Sequence, residues 1–202
     1  MPAFALLDRV TSTAAASYPM RRLWNVVDFH RMGETGFLHP ESRLELIEGE
    51  LFEMAPIGSF HAGTVSLLDR LFAKVVADTA LIHVQSPIVL SDRSEPQPDI
   101  ILLRPRPDYY LSGHPRAQDV LLLIEVSDST VQFDRKTKVP LYARHGIPEV
   151  WLVVGPKRRH IEIYRDPQPE QGRYQTRLPL RESVFAPVLL PQAEIRLDNV
   201  FI

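Results

Sequence analysis

The 202-residue chain contains no cysteine. That excludes disulfides, thiolate metal sites and cysteine nucleophiles, and fits a reducing, cytoplasmic setting. No stretch approaches the roughly 18 apolar residues that span a bilayer, so no membrane role is expected. The first twenty residues lack an apolar run behind a basic end and do not read as a signal peptide. Charge of neither sign dominates: 23 Lys and Arg against 25 Asp and Glu leave a formal net charge of −2. There is no global pull toward nucleic acid, although a groove can still be locally basic. There is also no Gly-rich phosphate loop, no GxSxG nucleophile turn and no HExxH pair. The seven histidines are scattered, so a zinc site would arise only by accident of folding.

What is present suits one globular domain. A 45% hydrophobic and 24% charged composition is ordinary for a folded protein, and the length allows a single core. Residues 1–19 read as a loosely held arm and residues 20–202 as the domain. A short first helix is expected over 23–32. RLELIEGELFEM (43–54) alternates and reads as a hairpin bent at Gly49, with its glutamates 45, 48, 50 and 53 on a wet face. Residues 61–78 follow the helical period, with Val65, Leu68, Leu71, Phe72 and Val75 on one face and Ser59 as a candidate cap. Residues 80–90 read as strand, with Pro87 marking an edge or bulge. PDIILL (98–103) reads as a short strand, and DVLLLIEVS (119–127) as a central strand covered on both faces. A helix over 132–145 contains Pro140, which should bend it or shorten its first turn, and Gly146 stops it. EVWLVV (149–154) and HIEIYR (160–165) complete a hairpin across the GPKRR turn. The order implies a mixed α/β (α+β) fold, a central sheet flanked by helices.

The chemistry concentrates between 98 and 142. Glu125 closes the apolar run 121–124, where a carboxylate is costly unless hydrogen-bonded, protonated or bound to a cation. Asp99 follows Pro98 at the start of a strand. Two such acids repel each other, which a divalent metal relieves. Oxygen ligands, including the backbone carbonyl of Val126, favour Mg²⁺, Mn²⁺ or Ca²⁺, of which Mg²⁺ or Mn²⁺ suit hydrolysis. Lys138 could orient the attacking water or stabilise transition-state charge. It lies four residues after Asp134, within pairing distance on a helix. Glu50, after the Gly49 bend, could add a carboxylate, and His61 could touch substrate or a ligand.

Each residue also has a plainer reading. Asp99 could be a turn residue, Glu125 the partner of an arginine across the sheet, and Lys138 a solvated surface lysine. Tyr142 could be core packing and His61 a helix-start hydrogen-bond partner. The run from Asp134 to Arg165 is basic. Arg135, Lys136 and Arg144 are candidates for phosphate contact, whereas Lys157, Arg158 and Arg159 read as an ordinary charged turn. No aromatics are interleaved there to stack single-stranded bases.

RLELIEGELFEMAPIGSFHAGTV, QPDIILL, LLLIEVSDSTVQFDRKTKVPLYARHGIPEVWLVV and IEIYR together resemble the Uma2 family. That family is also called DUF820, is described as restriction endonucleases, and looks like a branch of the PD-(D/E)xK nuclease superfamily. The resemblance covers residues 20–200. It implies a restriction-endonuclease-like core with an added N-terminal hairpin, a Mg²⁺ or Mn²⁺ cofactor and a nucleic-acid substrate, DNA first. It gives Asp99 and Glu125 the motif's two acids, with Glu50 as the hairpin acid and His61 as the histidine after the loop. The superfamily's lysine position is Ser127 here, and Lys138 on the following helix takes its role. A homodimer would suit cutting of two strands. Two other functions stay open: a non-catalytic nucleic-acid-binding domain on the same scaffold, and a structural or partner-binding protein whose acids pair with arginines.

Overall fold

The computed structural model describes residues 21–201 apart from positions 40, 158 and 182. The arm expected over 1–19 lies outside the described residues. The first helix, α1, is Val26–Glu34, capped by Asn25, whose Oδ1 accepts from the Asp28 amide at 2.7 Å. The hairpin follows as β1 (Leu44–Ile47) and β2 (Glu50–Glu53). Its two-residue turn places both Glu48 and Gly49 at positive φ (51° and 85°), which suits the twist of the paired strands. The long helix α2 (Ser59–Val76) buries Val65, Leu68, Phe72 and Val76. Its N-cap is Gly58, and no side chain caps it; Ser59 is instead the first helical residue.

Six strands form the central sheet: β3 (Leu81–Val84), β4 (Ile100–Leu103), β5 (Val120–Ser127), β6 (Glu149–Val154), β7 (His160–Gln168) and β8 (Arg173–Pro179), in that spatial order. Only β5 and β6 are parallel; every other neighbour is antiparallel. β3 is an edge strand and stops before Pro87, whose missing N–H could not serve a ladder. A small pair, β9 (Val184–Phe185) with β10 (Ile195–Arg196), closes the chain.

Alternation sorts the core into two layers. Leu122, Ile124 and Val126 of β5 join Trp151 and Val153 of β6 under α2, together with Phe185 and Ile195. Leu123 of β5, Val150 and Leu152 of β6, and Ile101 of β4 face the other layer with Val139, Tyr142 and Ala143. All eight residues of β5 are buried, as expected for a strand covered on both faces. Gly155, just past β6, lets the ring of Phe60 from α2 approach closely, since a Cβ there would lie 2.0 Å from it.

The parallel β5–β6 pair requires a crossover. It is one helical run in three parts: α3 (Val131–Phe133), a π turn (Asp134–Lys138) and α4 (Val139–Arg144). Pro140 enters just after the π turn, at the second residue of α4, where it has no N–H to donate to the preceding turn. The helix is therefore remodelled at Pro140 rather than ended. Among the described residues no helix is long and apolar enough to cross a membrane.

Candidate metal centre

The β4–β5 register pairs Ile100 with Ile124 and Ile101 with Leu123. Asp99 therefore falls beside the C-terminal end of β5, and its Oδ2 accepts from the Val126 amide at 2.8 Å. Glu125 shares the face of Leu123, under α4, and is 3% exposed. The carboxyl ends of strands in open sheets are where crossover connections leave room for ligands.

The crossover helix delivers the cation. Lys138 Nζ lies 3.1 Å from Glu125 Oε1 and 3.0 Å from Glu45 Oε1. Tyr142 Oη donates to the same Glu125 oxygen at 2.5 Å. The expected Asp134–Lys138 pair does not form. The π turn closes with the Val139 amide on the Asp134 carbonyl, five residues apart, so residues four apart no longer stack as on an α-helix. Asp134 instead accepts from Ser127 Oγ at 2.5 Å and Thr130 Oγ1 at 2.7 Å. From α2, His61 Nε2 sits 2.8 Å from Asp99 Oδ1, and its ring also meets the Val126 carbonyl. Gln85 Nε2 lies 3.4 Å from that same Asp99 oxygen.

Four buried carboxylates (Glu45, Asp99, Glu125 and Asp134) thus surround one buried ammonium. Burial pushes the Glu125 carboxyl well above the usual range; Lys138 offsets part of this, and the neighbouring acids add to it. Burial raises Glu45 in the same way. For Lys138 burial opposes the charged form, but Glu125, Glu45, Asp134 and Asp99 outweigh it, and the ammonium is held more firmly than usual. Burial, then the charges of Glu125 and Glu45, keep the Tyr142 phenol protonated. The hydrogen bond to Asp99 raises His61.

A cavity of about 130 Å³ opens onto this cluster, lined by Arg43, Glu45, His61, Asp99, Glu125 and Lys138 among others, and framed by residues 54–58 and 128–130. Glu45 Oε2 is buried and has no hydrogen-bond partner among the described residues. Such an oxygen costs roughly 1–3 kcal/mol or more. A divalent cation would supply both its missing contact and the missing positive charge. The all-oxygen donor set suits a hard ion of the Mg²⁺ or Mn²⁺ kind.

Of the residues picked out in sequence, Asp99, Glu125, Val126, Asp134, Lys138 and His61 line the cavity, and Tyr142 and Ser127 support it from behind. Glu50 does not. Its carboxylate meets Arg21 and is 39% exposed; paired with Ile47 beside the turn, it shares the face of Glu45 but stands at the turn end of the hairpin, away from the cavity. The hairpin acid of the site is Glu45, whose face carries buried Ile47 as well. That apolar neighbour two residues on was the signal that this face is not wet. β1 is pressed toward the crossover helix by the packing of Phe52 on Phe133, with ring centroids 5.1 Å apart. Of the candidate phosphate contacts, Arg135 is paired with Glu162 at 2.6 Å and Arg144 with Glu48 at 2.9 Å. Lys136 is exposed, and none of the three lines the cavity. The cation at the mouth is Arg43, whose Nη1 donates to the Ala55 carbonyl at 2.7 Å; Gln97 is a further lining residue not foreseen.

The Uma2 family model, described as "Putative restriction endonuclease", matches residues 26–198. The solved structure of a "putative nuclease belonging to DUF820" from Anabaena variabilis superimposes with a TM-score of 0.66 at 18% identity, over 88% of this chain and 97% of that one. At that identity the likeness concerns the fold. No curated protein matches the chain in sequence.

Proposed function

The chain belongs to the Uma2 family, and on that premise we propose that it is a divalent-metal-dependent endonuclease that hydrolyses phosphodiester bonds of nucleic acid, DNA first. The observation that carries this reading is the buried Glu45 Oε2, without a hydrogen-bond partner among the described residues, beside a cavity bordered by Asp99 and Glu125. Asp99, Glu125, Glu45 and the Val126 carbonyl would hold Mg²⁺ or Mn²⁺. When bound, that ion supplies Lewis-acid polarisation of the phosphate and a lower pKa for water.

The chain's own groups do the rest. Glu45 and Glu125 fix the Lys138 ammonium at two points, aiming its remaining donor at the cavity, where it orients water and stabilises charge on the phosphoryl oxygens. Water forms the new P–O bond and releases one proton to solvent, the ester P–O bond breaks, and the leaving oxygen takes up one proton from solvent, so that the sum is hydrolysis. Tyr142 fixes the Glu125 carboxylate. Ser127 and Thr130 hold Asp134, whose negative charge stabilises the Lys138 ammonium. Arg43 at the mouth is placed to meet a phosphate of the substrate backbone. A homodimer would present one site to each strand.

A second reading, nucleic-acid binding without turnover, draws on the Lys138 contacts themselves: an ammonium already shared by two carboxylates neutralises part of the charge a metal would meet. Calorimetric titration of Mn²⁺ and Mg²⁺ into the parent, Asp99→Ala and Glu125→Ala proteins, followed by plasmid, single-stranded DNA and RNA cleavage, separates the two. Metal binding lost in both variants, with metal-dependent cutting by the parent, supports the nuclease. Nucleic-acid binding that needs no metal, with no cutting, refutes it.

A further inference from the structure

Away from this cavity, the fold assembles three residues that sequence keeps far apart. His30 stands on α1, Glu95 in the loop between β3 and β4, and His114 in the loop before β5. One ligand atom from each lies within 4.8 Å of the other two. His30 Nε2 is 2.9 Å from both carboxylate oxygens of Glu95, and the rings of His30 and His114 stand edge to face, centroids 6.2 Å apart. Glu95 is 3% exposed and held by backbone, its amide donating to the Leu46 carbonyl at 2.7 Å. The two histidines are exposed.

We infer that His30, Glu95 and His114 form a second site, for a divalent transition-metal ion of the zinc class, distinct from the oxygen-lined centre. Two imidazoles and one carboxylate are the ligand set that borderline ions of this class accept. Metal bonds of about 2.0–2.1 Å put tetrahedral ligand atoms roughly 3.3 Å apart, which small rotations of the two exposed rings reach around the fixed carboxylate. A cavity of about 440 Å³ beside the cluster, lined by His30, His39, His114 and Glu34, leaves room for solvent ligands. A simple His30–Glu95 ion pair would explain two of the residues; it does not explain the third converging on the same point.

The location gives the ion a consequence. Gln97 lines both this cavity and the one at Asp99, so the bound ion would tie α1 and the His114 loop to the segment that leads from Glu95 to Asp99.

The test is Co²⁺ titration, read by visible ligand-field absorption and by competition with Zn²⁺, into tag-free, chelator-stripped protein. The parent and the Asp99→Ala variant should each show one equivalent of Co²⁺ with four- or five-coordinate bands, displaced by Zn²⁺. His30→Ala and His114→Ala, both surface changes, should weaken binding roughly 100-fold or more and abolish the rise in melting temperature that Zn²⁺ gives the parent. Absence of bands in the parent, or unchanged affinity in both histidine variants, overturns the site. Bands lost in Asp99→Ala but kept in the histidine variants would assign the metal to the other centre and equally overturn it.

Discussion

Replacing Lys138 by methionine removes the ammonium from a cluster of four buried carboxylates while keeping an unbranched side chain of the same reach up to Cε. Glu45 and Glu125 lose contacts of 3.0 and 3.1 Å and stay buried. Breaking a buried pair by deleting one partner costs about 3–5 kcal/mol. For a chain of this size each kcal/mol shifts the melting temperature by about 2–4 °C, so a fall of roughly 6–20 °C is expected near neutral pH. The penalty has a pH signature. Burial raises the folded-state pKa of Glu125 and Glu45 above the ordinary 4.5, and removing Lys138 raises them further. A group whose folded pKa is raised contributes stability below its unfolded pKa and loses it as pH rises through the folded value. The gap between parent and variant should therefore narrow as pH falls toward 4.5 and be widest at pH 8. Mn²⁺ should recover part of the loss, since it supplies the missing positive charge. Thermal melts of both proteins at pH 5 and pH 8 decide the matter. Equal melting temperatures at pH 8, or a gap that grows on acidification, would refute the electrostatic account of the cluster.

Asp99→Ala should abolish cleavage while the protein stays folded, at a stability cost of about 1–3 kcal/mol for the Val126 amide left unpaired; circular dichroism beside a plasmid assay checks both. Glu50→Ala should leave the cleavage rate within about twofold of the parent, because its carboxylate meets only the exposed Arg21 among the described residues, whereas Glu45→Gln should lower metal affinity in the same calorimetric titration. Hydrogen bonds from Arg135, Tyr164 and His160 overcome the cost of burial and hold the Glu162 carboxyl down at about 2. Its stabilising contribution is present above pH 4.5 and lost as pH falls toward 2. Acid melts of Glu162→Gln should accordingly be flatter than those of the parent over that window.

The helix over 61–78, the hairpin at 43–54 and the strands at 119–127 and 149–154 were legible because each has a strong period or an unbroken apolar run, and the structure differs from them mainly at the ends. Glu125 was legible for the same reason: a carboxylate inside LLLIEVS stands out against its neighbours. Glu45 was hard to read, because the alternation of Leu44 and Leu46 with glutamate assigns it to solvent; Ile47 on its own face was the one local hint against that, and the docking of the hairpin on the crossover helix is what covers the face. Pro140 was legible as a disturbance but not in its form, since the choice between a break, a kink and a π turn depends on what the helix packs against.

Local pattern by itself therefore determined most of the element order and the placing of two acids at strand ends, since side-chain periodicity and buried charge are properties of neighbouring residues; that those two strands adjoin is a tertiary outcome. Tertiary structure alone decided which glutamate joins them and that His30, Glu95 and His114 meet at all. Those outcomes depend on contacts between segments distant in sequence. Glu45 and Lys138, for example, stand 93 residues apart, and no local spacing encodes the distance that packing sets between them.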